Sequence, residues 1–185
     1  NRVVPSDYVT RLAVDKLSIF LRKECSIIVR PEDIYQSRQE FAIFKNKLNE
    51  EWELREWLIF AAKKFNIYRD DFCKLGYEAE ISAEVSCLSV ANELPGLITD
   101  LNEKGIHIVA VSDIWLDAAT LKKVLSAFGL SLSAVYTSGE LKVSKKAGTI
   151  FGKIERDLNI ESKNILHIGD NLESDFIRPR IAGWK

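Results

Sequence analysis

Two carboxylates, an amine and a hydroxyl in this chain are of the types that handle a phosphoryl group beside a divalent cation. Asp170 and Asp175 lie in His167-Ile168-Gly169-Asp170-Asn171-Leu172-Glu173-Ser174-Asp175, with four residues between them, directly after the apolar run Ile165, Leu166, Ile168. Carboxylates grouped beyond a buried strand are hard oxygen ligands suited to Mg²⁺, which takes one or two of them and leaves its other positions to water and substrate phosphate. The same letters also suit a strand followed by an Asp-capped helix with Asp175 in its first turn. Ser112-Asp113 ends a second apolar run, Ile106 to Val111. There a hydroxyl and its neighbouring N–H groups can hold a phosphate oxygen, although a turn or cap is the plainer reading of this pair alone. Lys145 stands between Ser138-Gly139-Glu140 and Gly148, just ahead of an expected helix. An ammonium in that place balances phosphate and carboxylate charge, and its neighbours Lys142 and Lys146 read as solvated loop charges. The stretch is not a P-loop, because G-x-x-x-x-G-K-[ST] is absent. Asp170 to Asp175 lacks the central glycine and terminal glutamate of a calcium loop.

These residues need elements that bring them to one place. From Leu94-Pro95-Gly96 onward the pattern alternates: a helix closed by Gly105, strand 106–112, helix 117–128, strand 134–137, helix 147–158, strand 164–168 and helix 172–182. Such a rhythm predicts an α/β fold with a doubly wound parallel sheet. Parallel strands deliver their carboxyl ends to one edge, so Ser112, Lys145 and Asp170 are expected around one cleft. Residues 6–93 instead show helical spacing throughout, with Pro5-Ser6-Asp7 and Pro31-Glu32-Asp33 as helix starts. Their third helix carries Leu54, Trp57, Leu58, Ala61, Ala62 and Phe65, and a fourth runs from Asp70 or Asp71 to about Asn92, interrupted or bent near Gly76. The aromatic residues of this block read as bundle core.

Lysine plus arginine is 26 against 27 for aspartate plus glutamate, a net charge of −1, so no long-range field favours nucleic acid or an anionic membrane. Apolar runs such as Trp57 to Ala62 are too short to span a bilayer, and no signal-peptide pattern opens the chain. Cys25, Cys73 and Cys87 fit no metal or redox spacing and read as thiols of a reducing compartment, which makes cytoplasmic the expected location. Methionine is absent and the chain opens on Asn1, so a piece of a longer polypeptide is expected. His107 and His167 are read as packing or hydrogen-bonding residues, and Asn171 as a helix cap or a water-mediated ligand.

In order, strand–Ser112, loop–Lys145 and strand–Gly169-Asp170-x-x-x-x-Asp175 resemble the haloacid dehalogenase-like (HAD) hydrolases. Val111-Ser112-Asp113 is similar to that family's second motif, Ser138-x-Glu140 with Lys145 and Gly148-x-x-Phe151 to its third, and His167 to Asp175 to its fourth. The resemblance implies a Rossmannoid core over residues 94–185, an inserted helical cap over 6–93 and a junction at 1–5. It further implies Ser112, Asp113 and Lys145 as substrate-binding, with Ser112 and Lys145 also catalytic, and Mg²⁺ as cofactor. Asp170 would ligate the metal, and Asp175 would act at the metal's edge or pair with Lys145. The family's first motif, D-x-D after a strand, supplies the nucleophile and is not found in these residues. Arg2, Val3, Pro5 and Asp7 resemble the signature R-x-V-x-x-P-x-D that follows the first motif in one branch, so the nucleophilic aspartate is expected just upstream of residue 1. That branch is often linked to glycosyltransferases, which points to sugar phosphates among small phosphorylated substrates. Two functions follow: a phosphohydrolase working through an aspartyl-phosphate, or a non-catalytic module that binds a phosphorylated ligand or a partner protein.

Overall fold

The computed structural model describes residues 6–185; the expected junction at 1–5, with Arg2, Val3 and Pro5, lies outside them. Four helices come first: α1 (Ser6–Cys25), α2 (Pro31–Lys47), α3 (Leu54–Lys64) and α4 (Arg69–Cys87). The Asp7 carboxylate in the first turn of α1 accepts from Tyr35 and Arg11. Helix α2 has proline in its first turn followed by Glu32 and Asp33, which complement the positive end of the helix dipole. At the start of helix α3 the Glu56 carboxylate accepts from the Glu53 backbone N–H at 3.1 Å, and the Glu56 N–H donates to the Glu53 carbonyl at 3.0 Å. Leu17, Leu21, Ile34, Leu54, Trp57, Leu58, Phe72 and Ala79 fill the space between the four.

The sequence predicts a helix interrupted or bent near Gly76 and reaching about Asn92. Helix α4 instead runs unbroken and ends at Cys87. Gly76 is there for close packing: a Cβ at this position would lie 2.3 Å from Leu58 Cδ2. Within the same block Arg38 and Glu80 form a buried ion pair with two parallel bonds of 2.8 Å.

After α5 (Leu94–Glu103) the chain forms β1 (Val109–Ser112), α6 (Ala118–Ser126), β2 (Ala134–Thr137), α7 (Ser138–Leu141), α8 (Thr149–Leu158) and α9 (Arg178–Ile181). Strands β1 and β2 are parallel, with Val109 opposite Ala134 and Ser112 opposite Thr137. Both therefore end at the same edge. The fold is α/β with a parallel sheet and a helical block, and several elements are shorter than their sequence patterns.

The largest departure is at 164–168, where a third strand is expected. Ile165 has extended backbone, yet among the described residues this segment belongs to no sheet. Its backbone bonds across to Lys185: His167 N–H donates to the Lys185 carbonyl, and Lys185 N–H donates to that of Ile165. Leu166 and Ile168 are 68% and 84% exposed. A strand is defined by its neighbours, and no strand of the described residues runs between this segment and β1. The predicted helix 172–182 is a π-helical stretch, Leu172–Ile177, followed by α9.

The helical block meets the α/β half through Trp115. Its carbonyl accepts from the Leu54 N–H at 2.7 Å, its ring stacks on Trp52 at 5.8 Å, and its indole N–H donates to Glu80 at 2.9 Å. Among the described residues, no helix is long and apolar enough to cross a membrane.

Candidate active site

Strand β1 carries Ser112 and then exposed Asp113 to the sheet edge. The Asp113 carboxylate receives the backbone N–H of Lys145 at 2.9 Å and that of Lys146 at 3.4 Å. Expected as a substrate-binding group, it ties the lysine loop to the end of β1. From β2, Thr137 caps α7 by accepting from the Glu140 N–H. That helix ends with Lys142 in a left-handed conformation, and the Ser144 hydroxyl accepts from the Ala147 N–H. The resulting loop turns the Lys145 side chain inward, leaving it 11% exposed.

Lys145 Nζ lies 2.5 Å from Oδ1 of Asp175. His167 Nε2 is 3.1 Å from the same oxygen, and the Asn171 N–H donates to Oδ2 at 3.1 Å. Burial alone would raise the Asp175 pKa. The hydrogen bonds from Lys145, His167 and the Asn171 N–H, with the lysine's charge, outweigh it and hold the carboxyl at about 2. Gly169 makes this approach possible, since a Cβ there would sit 2.4 Å from Asp175 Cγ. Asn171 caps the π-helical stretch, its side chain accepting from the Glu173 and Ser174 N–H groups.

The sequence leaves Asp175 either at a metal's edge or paired with Lys145, and names it with Asp170 as a metal carboxylate. Of these two roles the structure shows the pairing with Lys145: three donors, the Lys145 ammonium, the His167 ring and the Asn171 N–H, surround the oxygens of Asp175. Asp170 is exposed at the tip beyond Gly169 and makes no ion pair among the described residues. Asp113, Lys145, Asp175 and Gly169 thus form a contiguous set, with Ser112 and Asp170 each one residue away along the chain. Among the described residues, no three His, Cys, Asp or Glu side chains converge as a metal cage.

Lys142 is exposed, as expected of a solvated charge, and pairs with Glu56 of α3, which also holds Lys45 at 2.8 Å. Burial opposes ionisation of Glu56, but these two lysines and the Glu53 N–H bring its pKa down to about 2. A cleft of about 500 Å³ opens beside this network, lined by Lys45, Asn49 and Glu51 on one side and Lys142, Ser144 and Thr149 on the other. Trp115 has no special place in the sequence reading. Its signal is a large aromatic residue three positions after Ser112.

A family profile described as haloacid dehalogenase-like hydrolase matches residues 13–177, most of the chain. The chain belongs to the haloacid dehalogenase-like hydrolases. Among solved structures, a 2-haloacid dehalogenase from Pseudomonas syringae pv. Tomato DC3000 aligns over 100% of this chain and 80% of that one, with 14% identity and a TM-score of 0.63. A hydrolase from Streptococcus pneumoniae TIGR4 aligns over 96% of this chain and 83% of that one, with 17% identity and a TM-score of 0.45. No curated protein matches the chain by sequence. Family membership makes this HAD chain a hydrolase-type enzyme. Its likeness to the dehalogenase is one of fold.

Proposed function

We propose that this HAD chain hydrolyses the phosphate ester of a small metabolite, such as a sugar phosphate, in a Mg²⁺-dependent reaction. The nucleophile is an aspartate supplied by a segment preceding residue 1. The observation that carries the reading is the Lys145–Asp175 pair: an inward-facing ammonium held by a buried carboxylate, with Asp113, next to Ser112, bonded to the Lys145 N–H and Gly169, next to Asp170, packed on Asp175. A cation oriented in this way favours a site where phosphoryl charge must be neutralised.

Asp170 fits one position of a Mg²⁺ ion, being an exposed hard-oxygen donor free of ion pairs among the described residues. Mg²⁺ keeps few protein ligands, so a single carboxylate here is in character. When bound, the ion supplies charge neutralisation on the phosphoryl oxygens. The chain's own groups divide the remaining work. The Ser112 hydroxyl and nearby N–H groups orient a phosphoryl oxygen, and Lys145 stabilises charge that grows as the incoming aspartate attacks phosphorus. That attack breaks the ester P–O bond and releases the substrate's alcohol, which takes up a proton. Water then cleaves the aspartyl-phosphate to inorganic phosphate and the free carboxylate. The neighbouring cleft lies against the loop that carries Lys145 and offers polar groups to the organic part of the substrate. Three cysteines without disulfide bonds fit a cytoplasmic setting.

Segment 165–168 supports the upstream nucleophile. Its backbone bonds across to Lys185, and β1 is paired with β2, so a strand delivered to this edge finds donors and acceptors to join. The second reading, a non-catalytic module binding a phosphorylated ligand or partner, draws on the absence of D-x-D from these residues. Assay of the 185-residue chain and of the upstream-extended protein with an aryl phosphate and Mg²⁺ separates the two. Turnover by the extended form alone supports the enzyme. Turnover by neither favours the binding module, and equal turnover by both refutes an upstream nucleophile.

A further inference from the structure

We propose that His167 is a positioning residue for hydrolysis: its Nε2–H fixes the carboxylate of Asp175, which in turn directs the Lys145 ammonium toward the reacting phosphoryl group. This inference rests on the phosphohydrolase reading above and adds a residue to which that reading gives no task.

The geometry decides the tautomer. An ionised carboxylate only accepts hydrogen bonds, so the ring nitrogen 3.1 Å from Asp175 Oδ1 is the one that carries the proton. The ring itself has little freedom. Phe151 meets it edge-on at 6.2 Å and Trp184 packs at 6.0 Å. Trp184 is 4% exposed and anchored by its indole N–H to Glu155 at 2.6 Å. The backbone N–H of His167 is engaged by the Lys185 carbonyl at 3.0 Å.

A carboxylate held by one rigid donor can pivot about its side-chain torsions. Asp175 has two rigid donors, the Asn171 N–H on Oδ2 and the His167 ring on Oδ1. Lys145 is the third partner and the flexible one, an ammonium on a four-carbon stem. With Asp175 fixed, one of the three ammonium N–H groups is committed in a set direction. The other two are thereby oriented by the protein. Remove the imidazole donor and Oδ1 is left with its flexible partner alone, so carboxylate and ammonium can swing together.

The test uses the upstream-extended protein with an aryl phosphate and Mg²⁺. His167→Phe keeps a flat ring against Phe151 and Trp184 but has no donor. It is expected to lower kcat about 10- to 100-fold with KM changed by less than about threefold. His167→Gln restores an N–H and is expected to regain most of that loss. A His167→Phe enzyme with wild-type kcat, or a His167→Gln enzyme no better than His167→Phe, overturns the proposal. Nitrogen-15 NMR of the wild-type imidazole reads the bond without turnover, with the His167 signals assigned from their loss in His167→Phe. The Nε2–H tautomer, altered by Asp175→Asn, is the expected result; the Nδ1–H tautomer refutes the hydrogen bond. Failure of the phosphohydrolase reading looks different, because the wild-type protein itself would then turn over no phosphate ester.

Discussion

The indole N–H of Trp115 donates to Oε1 of Glu80 at 2.9 Å, which ties the loop after Ser112-Asp113 to a buried ion pair in the helical block. Glu80 already holds Arg38 through two bonds, and the Arg38 guanidinium lies over the rings of Trp57 and Trp115 at 4.9 and 5.0 Å. One charged cluster therefore holds together the two halves of the chain next to the candidate site.

Breaking that pair from one side is expected to be costly. Arg38→Met leaves Glu80 buried without its guanidinium, and stability should fall by about 3–5 kcal/mol in urea unfolding. The double variant Arg38→Met/Glu80→Leu removes both charges and should recover a large part of the loss. A double variant no more stable than Arg38→Met would contradict this account.

Acid unfolding should carry a component from Asp175. Its folded pKa of about 2 lies below the ordinary aspartate value, so its stabilising contribution is complete above about pH 4 and is lost as pH falls through 2. A shift of this size corresponds to about 2 kcal/mol. Unfolding free energies of Asp175→Asn should consequently fall less steeply between about pH 4 and 2 than those of the wild type. Glu56 also has a lowered pKa, so part of the wild-type slope should survive the substitution. Superimposable pH curves would remove Asp175 from the explanation.

Gly169→Ala places a methyl group where the Asp175 carboxyl sits. Overpacking of this kind costs about 1–3 kcal/mol, and the carboxylate must move away from Lys145 to relieve it. The cost should shrink when Asp175 is first reduced to alanine. A thermal-unfolding double-mutant cycle showing simple additivity would argue against the contact.

Metal affinity should separate the two carboxylates of the Gly169-Asp170 motif. In the extended protein, calorimetric titration should show weaker Mg²⁺ binding for Asp170→Asn and a smaller change for Asp175→Asn. Lys145→Ala should retain that affinity and lose about two to three decades in turnover, comparable to removing one oxyanion donor. Equal metal loss in the two aspartate variants would return Asp175 to the metal.

The alternation of apolar runs and helix starts after residue 94 was enough to specify an α/β half, because strand and helix periodicities are local properties of the chain. The motifs around Ser112, Lys145 and Asp170 were legible for a related reason: sharp turns after strands require particular residues close together in sequence. The sequence could not say which partner each polar group would take. Asp175 became the anchor of Lys145 through a fold that places its carboxyl beneath Gly169, and His167 joined it because Phe151 and Trp184 trap the ring. Lys142 stays exposed, as expected, yet pairs with Glu56, a residue 86 positions away. The apolar letters of 165–168 promised a strand, but sheet pairing is a property of neighbours, and tertiary structure left Ile168 exposed. Residue types and turns were local information, whereas partners and pairing depended on contacts between distant parts of the chain.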